Sequence, residues 1–168
     1  AQYVVPTQAY CDFLAEDARD TRTDVSVRVF EDKFLTEEVQ IKRMVVKFIG
    51  SFANDTRSFD SDVPVYRLAE AYLLKAEVEN ALGNTDAALQ NLNVVAKRAY
   101  GVDNYYTART QDAIDNAIIS EILKEFVAES KAWWAYLRFN KEKNVTLWPI
   151  APACLNTNPN ITQTEGYK

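Results

Sequence analysis

The sequence predicts a mostly α fold: a helix hairpin plus a long third helix, with a small β-hairpin and an irregular C-terminal tail. Three observations predict it. Apolar residues recur at helical spacing over 64–82, 85–101 and 111–138. Residues 25–30 alternate with period two instead. From Asn144 onward the chain holds Pro149, Pro152 and Pro159 and loses all helical period.

In the first helix Leu68, Tyr72 and Ala76 recur every four residues, as do Leu74, Val78 and Leu82, which predicts a broad apolar face. In the second, Ala88, Leu89, Leu92, Val95, Ala96 and Ala99 form a matching stripe. Gly83 can take the left-handed conformation that ends a helix, and Asn84 or Thr85 can cap the amides that follow. So short a link turns the two helices antiparallel. Small Ala76 and Ala88 allow the backbones to approach at the crossing. The pair resembles a single tetratricopeptide-type unit, with Ala76, Gly83, Ala88 and Leu92 at its small, turn and apolar positions.

Thr110 caps the third helix, where Ile114, Ile118, Ile122 and Phe126 form a row continued by Val127, Trp134 and Leu137. Asp115, Lys124, Lys131 and Lys141 mark the opposite, solvated face. Unbroken to residue 138, such a helix measures on the order of 40 Å.

Ahead of the hairpin, Tyr10, Phe13 and Leu14 predict a helix of about two turns from Thr7 to Glu16. The run EDARDTRTD reads as a solvated corner with local Asp–Arg pairing. VSVRVF reads as a half-buried strand and VQIKRMVVKFIG as its hairpin partner, and a lone hairpin must lie against the helices. Residues 51–62 read as a surface loop into Pro64, which suits the first turn of the helix. In the tail, Leu147, Trp148, Ile150 and Leu155 predict a strap wrapped back over the helices, with backbone partners found outside regular structure. The whole is expected to be a single domain over 1–168: an irregular and β segment at 1–62, a helical core at 63–140 and the wrapping tail at 141–168.

Composition excludes several function classes. With no histidine, neither a Ser-His-Asp nor a Cys-His catalytic set can be assembled. Cys11 and Cys154 stand in no metal-ligand spacing; they could pair if the chain ends meet, but two isolated buried thiols is the stronger reading. Four glycines leave no phosphate-cradling loop. A net charge of −5 with no basic stripe argues against nucleic acid. No apolar run approaches the ~20 residues that span a bilayer. No catalytic residue, metal or cofactor is therefore expected. The chain opens on Ala1 without an initiator Met, which suggests processing or a segment of something longer.

Two groups of side chains merit weighing. Glu121, Glu125 and Glu129 lie at i, i+4 on one helix face, and a carboxylate pair is what a glycosidase requires. Neighbours on one straight helix point the same way and do not flank a substrate, so structural hydrogen bonding or solvation is the stronger reading. Tyr105 and Tyr106, adjacent in a loop, are the candidate ligand-binding residues, because aromatic faces stack on the apolar C–H faces of sugars. Their simpler role is to anchor the loop. Trp148 and the pair Trp133-Trp134 read as core.

DVPVYRLAEAYLLKAE, the turn Gly83-Asn84 with Ala88-Leu89 and Asn93, and KRAYG at 97–101 together resemble the C-terminal half of the SusD/RagB family. Glu121, Glu125-Phe126 and Glu129-Ser130 stand where that family has its E(R)xxE(L)xxEG pattern, and Trp133, Trp134 and Arg138 fit its RWxDLxR segment. Pro149, Ile150, Pro152, Asn158, Pro159, Gln163, Gly166 and Tyr167 fit its closing pattern. The likeness spans about residues 60–167, and more loosely 12–60 through Asp20, Arg22 and Val46-Lys47-Phe48. Ile122, Ala132 and Ala135 depart from it by replacing charged positions, which leaves the three glutamates to find partners such as Arg67 or Arg98.

The resemblance implies a non-catalytic, lipid-anchored protein on the outer-membrane surface of Bacteroidota-type bacteria. Such a protein captures a nutrient, usually a glycan, and passes it to a SusC-like TonB-dependent transporter. Family members are several hundred residues long, so this chain is expected to be a C-terminal part lacking further helix pairs and the anchor. In a bacterial protein the three N-x-T sequons at Asn54, Asn144 and Asn160 carry no weight. The family's ligand contacts have no fixed motif to carry over. The alternative is a tetratricopeptide-like scaffold for protein–protein interaction, although one helix pair is too few for the usual groove.

Overall fold

A computed structural model describes residues 5–32, 39–54, 56–139 and 149–164. The chain divides into two compact units, Ala1–Lys131 and Ala132–Lys168.

The first unit opens with α1 (Gln8–Leu14), whose N-cap Thr7 accepts a hydrogen bond from the Tyr10 amide. The single turn α2 (Thr23–Ser26) leads into β1 (Val27–Asp32), which pairs antiparallel with β2 (Gln40–Val45) in the register Val27–Val45. Val25 therefore lies in a helical turn, not in the strand. The expectation of a half-buried strand holds only at Val27, which joins Cys11 and Leu14 in a small core. Among the described residues the two-stranded ribbon has no third strand to cover the rest of β1, so its remaining residues stay largely open to solvent.

Residues 51–62 are not a plain loop. They hold a second hairpin, β3 (Ser51–Ala53) and β4 (Thr56–Ser58). Asn54 takes φ +49 at the turn, and the Asp60 carboxylate accepts from both the amide and the hydroxyl of Ser51. Asn readily adopts that left-handed geometry.

Then come α3 (Leu68–Ala81), α4 (Thr85–Tyr100) and α5 (Gln111–Glu125), each packed on the other two. The α3–α4 turn closes through Gly83 at φ +80, as its sequence predicts. Asn84 occupies the N-cap position of α4, but its side chain donates back to Glu79 and caps no amide. The α4 stripe is buried in full, from Ala88 to Ala99, and so are Ile114, Ile118, Ile122 and Phe126. On α3 the expectation largely fails, since of the two predicted rows only Ala76 is buried and Tyr72 partly so, and Leu73, in neither row, supplies the core contact. Leu73 and Ala76 face the core, while Leu68, Leu74, Val78 and Leu82 are exposed. A helix apolar on two sides can turn only one of them toward the α4–α5 pair it packs on.

The third helix is shorter than its periodicity predicts. It ends at Glu125, and Ala128 and Ser130 take φ +61 and +59 before α6 (Ala132–Arg138) begins. Ser130 stands where the family pattern places glycine, and it adopts a glycine-like conformation. Lys124, expected on a solvated face, is buried beneath Phe13 and Tyr100.

In the second unit α6 buries Ala135 but leaves Trp133 37% and Trp134 59% exposed, against the core reading of both. Among its described residues the tail contains one short helix, α7 (Pro152–Thr157), with proline in its first turn. Outside that helix the Gln163 side-chain amide bonds the N–H and C=O of Ile150, in place of a strand neighbour. Asn158 accepts from the Asn160 amide. Cys154 is exposed rather than buried, whereas Cys11 is buried as expected, and both are free thiols. Lys141, Asn144, Leu147, Trp148, Gly166 and Tyr167 lie outside the described residues.

Candidate functional site

The carboxylates of α5 and of the turn after it are built into an ion cluster. Glu121 accepts from Arg22 at 2.7 Å and from the hydroxyls of Tyr100 and Tyr106 at 3.0 and 2.8 Å. Glu125 meets Arg22 at 3.2 Å and also pairs with Arg67 and Arg98. Glu129 binds Arg67 at 2.8 Å and Lys47 at 2.5 Å. The expected partners Arg67 and Arg98 are thus present, and Arg22 and Lys47 join them.

Arg22 itself is buried, held by Asp20 at 2.7 Å. The solvated corner is therefore half right: Arg19 and Asp17 pair at the surface, while Asp20 and Arg22 dive inside. Burial alone would raise the carboxyl pKa of Glu125 and Glu129. The arginine and lysine contacts outweigh it, so both lie below the usual range. These groups are held ionised, the opposite of the raised pKa that a glycosidic acid requires.

Tyr105 and Tyr106 form the wall of the α4–α5 loop. Gly101, at φ +68, ends α4, and Asn104, at φ +52, turns the chain back. Tyr105 stacks on Tyr100 with ring centroids 3.8 Å apart, and its hydroxyl donates to Asp17 at 2.9 Å. Tyr106 sits edge-on to Tyr105. Burial and the nearby Glu121 carboxylate push its hydroxyl well above the usual tyrosine pKa. Asn93 clamps Tyr106 through both ends of its amide: Oδ1 accepts the Tyr106 N–H at 2.8 Å, and Nδ2 donates to its C=O at 2.9 Å.

Beside this wall runs an open groove of ≈ 540 Å³ between α4 and the 103–109 loop. Asp86, Gln90, Asn93 and Lys97 line it from one polar stripe of α4, and Asp103, Tyr106 and Arg109 line it from the loop. Of the two tyrosines singled out from sequence, the structure brings Tyr106 to the groove and sets Tyr105 behind it against Tyr100. Sequence reasoning did not select the α4 stripe, although its i, i+4, i+7, i+11 spacing opposite the apolar face is visible in the sequence. That the 103–109 loop folds over this stripe has no comparable sequence signal.

No group of acidic, cysteine or histidine side chains among the described residues could hold a metal. None of the helices among them is long and apolar enough to cross a membrane.

A family model described as the SusD family matches residues 31–146. The starch-binding protein SusD of Bacteroides thetaiotaomicron is 31% identical over 129 residues, 65% of this chain and 22% of that protein. SusD-like protein P38 of Formosa agariphila is 26% identical over 126 residues, 64% of this chain and 25% of that protein. Among solved structures, a SusD superfamily protein of Bacteroides fragilis aligns with TM-score 0.65 and 30% identity, covering 94% of this chain and 40% of its own. NanU of B. fragilis aligns with TM-score 0.61 and 27% identity, covering 93% of this chain and 38% of its own. The chain thus spans about a quarter or less of the curated relatives it matches.

Proposed function

This chain belongs to the SusD family, and from that premise we propose that it is the C-terminal part of a surface protein that binds glycan without catalysis. The observation that carries the reading is the family match over 31–146, together with a relative named for binding starch. The state of the carboxylates supports it. Glu121, Glu125 and Glu129 are buried and bonded to cations or tyrosine hydroxyls, so none stands ready as an acid or a nucleophile. The same reading places the protein on the outer membrane by a lipid anchor and has it deliver ligand to a SusC-like TonB-dependent transporter.

Affinity electrophoresis of the full-length protein against soluble polysaccharides tests the first part. Retardation by at least one glycan without release of reducing ends is expected. Reducing-end release would overturn the non-catalytic reading. Isolation of the full-length protein from detergent-solubilised outer membranes tests the second part: the transporter is expected to co-purify, and its absence would sever that link.

One observation favours a second reading, the tetratricopeptide-like interaction scaffold. Leu68, Val78 and Leu82 leave an apolar strip of α3 uncovered, and such strips often mark protein contacts. A photo-crosslinker placed at Val78 of the full-length protein in cells tests it. A crosslink to a second protein supports the scaffold, and crosslinks only within the same polypeptide count against it.

A further inference from the structure

We propose that the groove between α4 and the 103–109 loop is a binding subsite for a neutral oligosaccharide. The ligand class rests on the glycan-binding reading above; the location and the preference for an uncharged sugar come from the groove itself. Its ≈ 540 Å³ falls inside the span of about 300–1,000 Å³ usual for ligand clefts.

Its walls are set before any ligand arrives. Asn93 fixes the Tyr106 backbone from α4, Tyr106 is tied to Glu121, and Tyr105 is tied to Asp17. Three tethers from three separate parts of the chain hold one short loop, so binding costs little ordering entropy.

The rim selects against charge. Lys97 pairs with Asp103 at 2.6 Å, and Arg109 pairs with Asp86 at 2.6 Å. Each cation is matched by an anion, so a carboxylated or sulfated sugar meets as much repulsion as attraction. A neutral sugar hydroxyl both donates and accepts, and it can share either pair. All four side chains are largely exposed, and exposed ion pairs are weak enough to admit a hydroxyl at small cost. Val94, 43% exposed, adds apolar surface for ring C–H groups, and Tyr106 adds an aromatic side chain to the wall.

The test is calorimetric titration of the full-length protein with maltoheptaose, cellohexaose, xylohexaose and an acidic oligogalacturonide. Three proteins are compared: wild type, the double variant Asp103→Ala/Arg109→Ala, and Val94→Arg, which fills the groove from α4. These side chains are exposed or partly so, and melting temperatures within about 2 °C of wild type confirm that the variants are folded.

The wild type is expected to bind at least one neutral oligosaccharide, and both variants to bind it at least tenfold more weakly. Neutral-sugar binding by the wild type with both variants within twofold of it overturns the groove and leaves glycan binding intact. Binding of the oligogalacturonide alone, lost in the variants, overturns the preference for neutral sugars. A wild type that binds none of the four overturns both the groove and the glycan reading.

Discussion

Arg22 and Glu121 lie 99 residues apart in the chain and meet in a buried ion pair at 2.7 Å. The guanidinium also reaches Asp20, Glu125 and the Tyr100 hydroxyl, so one side chain ties the early segment to α4 and α5. Replacing Arg22 with Met leaves Asp20 and Glu121 buried without their main cation. Breaking a buried pair in this way costs about 3–5 kcal/mol. Urea unfolding is expected to show a loss of that size for Arg22→Met, and none for Arg19→Ala at the surface. Equal midpoints for the two variants would refute the network's role in holding the fold.

The cluster also sets a pH dependence. Burial opposes ionisation of Asp20, Glu125 and Glu129, but their cation partners win, and all three have lowered pKa values. A group whose pKa is lower when folded adds stability above its unfolded pKa and loses it as pH falls through the folded one. Unfolded Asp and Glu titrate near about 3.9 and 4.3. The melting temperature is therefore expected to hold steady from pH 7 to about 5 and to fall below about pH 4.5. On the alkaline side burial raises Tyr100 and Tyr106, so stability is also expected to fall above about pH 10. A flat profile from pH 7 down to 3 would contradict the placement of these carboxylates.

Ser130, like Ala128 two residues before it, holds a backbone conformation that suits glycine better. At φ +59 it occupies left-handed space that costs an L-residue about 1–2 kcal/mol. Glycine removes that cost but adds disorder to the unfolded chain, worth about 0.5–1 kcal/mol. Ser130→Gly is expected to stabilise by about 0.5–1 kcal/mol in denaturant titration, and a destabilised variant would argue against the break between α5 and α6.

Two glycines separate steric demand from conformational demand. A Cβ on Gly50 would meet the Ser58 carbonyl oxygen at 1.9 Å, whereas one on Gly83 meets nothing within 4 Å. Both have positive φ, so both alanine variants carry the left-handed cost of about 1–2 kcal/mol. Gly50→Ala carries a backbone clash as well. It is expected to lose the dispersed amide signals of the β3–β4 hairpin in an NMR spectrum, while Gly83→Ala keeps the native spectrum at a lower melting temperature.

The three packed helices were legible because helical period and a glycine turn are local signals. Each residue of the α4 stripe is buried where its spacing puts it. The break after Glu125 was less legible, since Ile114 to Phe126 reads straight on into Val127. Its only trace is the family's glycine position, filled here by serine. Of the two aromatic candidates, loop chemistry marked both equally, and only the stacking of Tyr105 on Tyr100 set them apart.

By itself, then, the sequence determined the mostly α class, the hairpin, the buried faces of α4 and α5, and the kinship, because these follow from periodicity and ordered motifs along one chain. The tertiary structure decided which face of α3 is buried, which charges go inside and where the groove opens. Those outcomes depend on partners far apart in sequence. A buried Arg22 is tolerable because Glu121 and Glu125 arrive from another helix to join Asp20 in neutralising it, and no local pattern around Arg22 announces the two glutamates.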